Sequence, residues 1–143
     1  MKTQAQIIEI LEKLWIRNYT LVPDSVHGFV VDVAGSVKIF HKMPSIPVQF
    51  RNVTGDFDCR ECNLQNLEGC PTSVGGDFFC SHNQLKNVEG LPTSVGSDYI
   101  DIGGNYKLKN IQGIISFNEI KALQEKEKLE ALPAAPKKAT FKL

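Results

Sequence analysis

Four cysteines and three histidines are the residues of this chain best suited to metal or nucleophilic chemistry. Cys59-x-x-Cys62 has the spacing of half a zinc site, and Cys70, Cys80 and His82 lie beyond it. A Cys-rich tetrahedral site is one reading of this segment. A repeat explains more of it. Cys59 and Cys80 occupy matching positions, Cys70 matches Leu91, and Cys62 matches Asn83. Free cysteine commonly packs as a small hydrophobe. Stacked strands lie about 4.7–4.9 Å apart, so Cys59 and Cys80 would approach disulfide distance, which reducing surroundings oppose. A nucleophilic cysteine needs a base such as histidine beside it, but Cys80 and His82 point to different sides or to a turn. His27 and His41 pair with no obvious partner and are expected as surface or turn residues. Asp56, Asp77 and Asp98 form a carboxylate column, which suits turn hydrogen bonding better than the paired carboxylates of a glycosidase cleft. Gly75-Gly76-Asp77 lacks the Gly-Lys-Ser/Thr of a phosphate loop. No catalytic residue, metal or cofactor is expected.

These residues belong to a tandem repeat. Residues 53–73 and 74–94 share Gly55/Gly76, Asp56/Asp77, Phe57/Phe78, Cys59/Cys80, Leu64/Leu85, Asn66/Asn87, Glu68/Glu89, Gly69/Gly90 and a Pro-Thr-Ser ending. A looser third copy, 95–115, keeps Gly96, Asp98, Asn110, Ile111 and Gly113, with a longer middle. Within a copy, Phe78-x-Cys80-x-x-Asn83-x-Leu85-x-x-Val88 matches the leucine-rich-repeat pattern. Phe78 and Cys80 alternate as a half-buried strand requires. Asn83 is placed to turn its amide onto the backbone of a neighbouring coil. Leu85 and Val88 fill the interior, and Gly90 before Pro92 permits the tight return. In the first copy Cys62 replaces the Asn, with Asn63 as a substitute one position later. Strand-like segments 29–33 and 36–40 precede the clear copies as a degenerate first coil, with Val37, Ile39, Ile46 and Val48 inward.

A repeat stack exposes apolar side chains at both ends and needs caps. Thr3-x-x-Gln6 opens a helix whose apolar face is Ile7, Ile8, Leu11, Leu14 and Trp15, ending near Asn18. Ser116-x-x-Glu119 opens another, with a thinner stripe of Ile120, Leu123, Leu129 and Leu132. The expected fold is α/β: a short leucine-rich-repeat-like solenoid with parallel strands, capped by an N-terminal helix and a C-terminal helix. Its parts are the capping helix 1–19, the solenoid 20–115, the second helix 116–132 and a flexible tail 133–143.

Sixteen basic and sixteen acidic residues leave no net charge. That balance argues against a nucleic-acid partner, whose binding rests on clustered Lys and Arg. No run approaches the roughly 20 apolar residues of a membrane helix, and the N-terminus does not read as a signal peptide. A cytoplasmic location with reduced cysteines is expected.

The run IRNYTLVPDSVHGFVVDVAGSVKIF, the later IPVQFRNVTGDFDC and the N-x-L-x-N-x-E-G-x-P-x-S-V-G-G-D-F copies resemble small leucine-rich-repeat-like proteins of large tailed bacteriophages. The resemblance spans residues 15 to 113. It implies expression in an infected bacterial cell and action through protein contacts; the scaffold is generic and does not specify an activity.

In a parallel solenoid, residues between the inward ones face out of the sheet. The outward set is then Lys38, Phe40, Asp58, Arg60, Phe79, Ser81, Tyr99 and Asp101. Phe40, Phe79 and Tyr99 would share one open face, and exposed aromatics with Arg are favoured interface anchors. The expectation is a non-catalytic module that binds a host or phage protein, inhibiting or redirecting a bacterial host protein such as a defence component. The alternative is a self-associating structural or assembly component of the virion.

Overall fold

Thr3 opens α1 (Gln4–Lys13) with a capping box: its side-chain oxygen accepts from Gln6 N at 3.2 Å, and Gln6 Oε1 accepts from Thr3 N at 2.8 Å. Ile7, Leu11 and Leu14 are buried along one face. The computed structural model describes residues 1–108 and 113–132. In it the helix stops at Lys13, short of the expected Asn18. Ile16 N–H donates to Leu11 O at 3.0 Å and Trp15 N–H to Glu12 O at 3.1 Å, the paired bonds of a Schellman ending. That ending puts one residue in the left-handed region, usually Gly. Here it is Trp15, at φ +59°. The reversal throws Trp15 outward, 68% exposed, and Ile16 takes the buried place.

β1 (Tyr19–Asp24) and β2 (Gly28–Val33) form an antiparallel hairpin, where the sequence pattern had led us to expect only the second strand. Asp24 holds its turn by accepting from the Val26 and His27 N–H groups. Beyond it run β3 (Val37–Lys38), β4 (Phe50–Val53), β5 (Phe57–Asp58), β6 (Ser73–Val74), β7 (Phe78–Phe79), β8 (Ser94–Val95), β9 (Tyr99–Asp101) and β10 (Ile114–Ser116), then α2 (Phe117–Ala131). Each coil gives one short strand to each of two sheets, ordered β1-β2-β4-β6-β8 and β10-β9-β7-β5-β3. The strands between coils pair in parallel, and β1 and β10 pair antiparallel. The chain is therefore a short parallel β-solenoid with a helix at each end.

Register stacks like on like. Val37, Phe57, Phe78 and Ile100 lie one above another, with the Phe57 and Phe78 rings stacked at 5.7 Å. Ile39, Cys59, Cys80 and Ile102 line the same interior, all buried, as are Ile46 and Val48. Asn83 ties coil to coil as its repeat position demands. Its Oδ1 accepts from Cys62 N and Leu64 N, each at 3.0 Å, while Nδ2 donates to Cys59 O at 2.9 Å and Cys80 O at 3.0 Å. Asn105 repeats the pattern one coil on, accepting from Leu85 N and donating to Cys80 O and Ile102 O. In the first copy Asn63 does not substitute: its φ of +63° turns it to solvent. The Cys62 thiol fills the place and donates to Ile39 O at 3.4 Å and Arg60 O at 3.3 Å. The coils approach so closely that a Cβ on Gly96 would stand 1.7 Å from Gly75 O.

At the far end, Ser116 Oγ caps α2 by accepting from Glu119 N at 3.3 Å. Ile120 is buried, Leu123 is half-buried, and Gln124 Nε2 donates to Val88 O at 3.1 Å. Leu129 and Leu132 are exposed rather than part of the stripe: Leu129 stands nine residues from Ile120, on the opposite face of the helix, and Leu132 lies beyond its last residue. One apolar cluster joins α1, both sheets and Ile120. The expected tail 133–143, and Asn110 and Ile111 of the third copy, lie outside the described residues.

Candidate protein-binding surface

Register decides which predicted surface residues meet. On the outer face of the second sheet, Lys38, Asp58, Phe79 and Asp101 form one column. The residues two positions on, Phe40, Arg60, Ser81 and Gly103, form the next. Tyr99 belongs to neither: it stands one residue ahead of Ile100, which pairs with Phe78. The extra residue of the third copy falls ahead of this strand. Phe40 and Tyr99 are each 59% exposed but lie on strands three spacings apart, about 14 Å. The three aromatics therefore do not make one strip.

The middle of the face satisfies itself. Arg60 donates to Asp58 through Nε at 3.0 Å and Nη2 at 2.7 Å, and its guanidinium lies 4.7 Å from the centre of the Phe79 ring. Burial presses the Asp58 carboxyl upward, but the Arg60 hydrogen bonds outweigh it and hold it below the usual carboxylate range. Asp58 is buried under this arginine and Ser81 is 4% exposed, so neither presents the free surface expected of it. Phe79 is only half-exposed for the same reason. Asp101 accepts from Gly103 N at 3.1 Å and helps form its own turn.

The N-terminal edge differs. Lys38 Nζ sits 5.2 Å from the Phe40 ring. Phe40 meets Trp15 at 5.7 Å, and Trp15 meets His41 edge-on at 5.4 Å. Two large aromatics, both mostly open to solvent, thus hold each other in place beside a cation. Trp15 and His41 were not in the predicted set. Helical spacing put Trp15 on the buried face, and no glycine marked the helix end that expels it. A groove of about 270 Å³ runs between residues 15–18 and 34–38, with Phe40 at its end.

The cysteine chemistry weighed from the sequence finds little support in this geometry. All four thiols are buried and free. Burial pushes Cys62 up to about 11 and pushes Cys70 and Cys80 well above their ordinary value, against the thiolate that nucleophiles and metal ligands require. His82 sits exposed in a left-handed turn at φ +55°, away from the buried Cys80 thiol. His27, expected without a partner, contacts Asp24 Oδ2 at 2.9 Å. The Asp column works in turns: Asp56 Oδ1 accepts from Asp77 N at 2.8 Å. Among the described residues, no group of three or more His, Cys, Asp or Glu is placed to hold a metal ion. Also among them, no helix is long and apolar enough to cross a membrane.

Fold and surface together define the class: a short parallel β-solenoid with an aromatic and cationic patch at its N-terminal edge. No family model, no curated protein and no solved structure matches the chain.

Proposed function

We propose that this chain is a non-catalytic protein-binding module whose contact surface centres on Trp15 and Phe40. The observation that carries this reading is the pair itself, two aromatics 68% and 59% exposed, packed together and joined by Lys38 and His41. Aromatics gain most from desolvation at an interface and lose little side-chain entropy there. Trp15 also occupies a backbone position that favours glycine. Strain of this kind persists where the surrounding structure holds it, and it clusters at binding and active sites. The resemblance to tailed-phage proteins supplies the partner: a protein of the bacterial host, bound in its cytoplasm and inhibited or redirected by steric cover, with a defence component as the specific expectation.

The test compares tagged wild-type protein with Trp15→Gly/Phe40→Ser as baits in bacterial lysate. Gly suits φ +59°, and Phe40 is largely exposed, so the variant should keep the wild-type circular dichroism and melting temperature. The expected outcome is a host protein enriched by wild type and lost by the folded variant. Equal retention by both baits removes the patch from the interface. No enriched protein, together with a mass that grows with concentration, favours the self-associating assembly component instead.

A further inference from the structure

β3 is the outermost strand of the second sheet. The Val37 and Ile39 N–H groups donate inward to Asp56 O at 2.8 Å and Asp58 O at 2.9 Å. Alternation along the strand therefore turns the Lys38 N–H and C=O to the outer side. Among the described residues, no hydrogen bond uses the backbone N–H or C=O of Ser36, Lys38 or Phe40. The groove between residues 15–18 and 34–38 runs along this unpaired edge. Its lining carries two cations, Arg17 and Lys38, and no carboxylate.

We infer that this groove takes an extended acidic segment of a partner protein, which adds to β3 as a further strand. The inference rests on the protein-binding reading above and names the chemistry of the partner. Backbone pairing provides affinity without regard to sequence. Side chains provide selection. Lys38 and Phe40 are two positions apart on one face, so the added strand presents an acidic residue and an apolar residue two positions apart. The acid meets Lys38 and Arg17; the apolar residue packs against Phe40 and Trp15. From residue 36 to residue 40 the edge is about 13 Å long, room for about five residues. A second copy of this chain is the poorer occupant. Pairing two β3 edges about a twofold axis would bring Lys38 and Arg17 of both copies together, and like charges across a sheet edge repel.

The probe is a fluorescein-labelled, end-capped peptide of alternating Glu and Val, titrated with the full chain and read by anisotropy. Amide hydrogen exchange of the wild-type protein is followed with and without the unlabelled peptide. The expected result is saturable binding, with the Lys38 amide exchanging freely alone and protected in the complex. The same peptide with Lys for Glu should not bind. Lys38→Pro removes the outward N–H at an edge position where proline is tolerated, and should weaken binding at least about tenfold with unchanged circular dichroism. Because the exchange measurement uses wild type, a misfolded proline variant leaves the test intact. Binding without protection of Lys38, equal binding of the Lys–Val peptide, or no binding of the Glu–Val peptide at millimolar concentration each overturns strand addition. If the Glu–Val peptide fails while Trp15→Gly/Phe40→Ser still loses its host protein, the protein-binding reading stands alone. If that variant keeps the host protein, the Trp15–Phe40 patch is not the contact surface.

Discussion

The two ends of the coil stack solve the same problem in opposite sheets. At the N-terminal end β1 folds back antiparallel on β2 and becomes the outermost strand of the first sheet, while β3 is outermost in the second. At the C-terminal end β10 folds back on β9 and becomes the outermost strand of the second sheet, while β8 is outermost in the first. Their helices are not equivalent. α1 buries Ile7 and Leu11 and, at its cap, Leu14. Among the described side chains of α2 only Ile120 is fully buried, with help from half-buried Leu123 and the bond from Gln124 to Val88 O. Exposed apolar residues stand near both ends, but their settings differ. Trp15 follows a helix welded into the core and is braced by Phe40 and His41. Leu129, on the outward face of α2, and Leu132, just past its end, are exposed with no aromatic contact to brace them among the described residues. A braced aromatic loses little further freedom when a partner covers it, so the N-terminal end is the better prepared for binding.

The largest effect should come from the caps. Leu11→Ala, at a fully buried site, is expected to cost about 2–5 kcal/mol, whereas Leu129→Ala should stay within about 0.5 kcal/mol. Urea denaturation of the two variants checks this. Equal losses would mean that α2 contributes to the core as fully as α1, and the contrast between the ends would disappear.

A smaller contrast lies inside the stack. Asn83→Ala leaves the Cys62 and Leu64 N–H groups without their acceptor and the Cys59 carbonyl without its donor, while Cys80 O keeps the bond from Asn105; each group that finds no water costs about 1–3 kcal/mol. Cys62→Ala removes only weak thiol bonds and a small volume, at roughly 1 kcal/mol. The order of their urea midpoints tests whether the amide ladder, rather than the apolar column, locks the first and second copies together.

The smallest effect concerns acid. Asp32 is held below the usual carboxylate range chiefly by the hydrogen bonds from Arg51, and Asp58 by Arg60 against its burial. A depressed folded value means stability that is complete above the ordinary carboxylate pKa of about 3.9 and is lost as pH falls toward the lower folded value. Thermal melts should thus be flat above about pH 4 and decline below it. Asp32→Asn should make that decline shallower. An unchanged slope would show that the Asp32–Arg51 pair does not differ between the folded and unfolded states.

Much of this architecture was legible in the sequence, because a repeat states its own register. Matching Phe57 with Phe78 and Cys59 with Cys80 predicts a stacked interior, and those residues are stacked and buried. The amide role of Asn83 was likewise legible, since a polar residue at a strand end between buried positions must meet backbone. The N-terminal hairpin was not, because Tyr19–Asp24 carries no copy of the repeat and pairs only through the turn that Asp24 holds. Nor was the division of the outer face. Asp58 and Ser81 fit an outward pattern by alternation, yet Arg60 covers the one and packing buries the other.

Sequence alone determined the period, the inward columns and the presence of capping helices, since these follow from local alternation, helical spacing and like residues seeking like positions in neighbouring coils. Tertiary structure alone decided where the chain is left open. Whether a sheet edge is paired, and whether an aromatic is covered, depends on segments distant in sequence meeting in space. Trp15 belongs to the apolar spacing of its helix, but the Schellman turn that expels it closes because Ile16 is buried in the same cluster as Leu11. β3 is outermost in its sheet, and β1 pairs in the other.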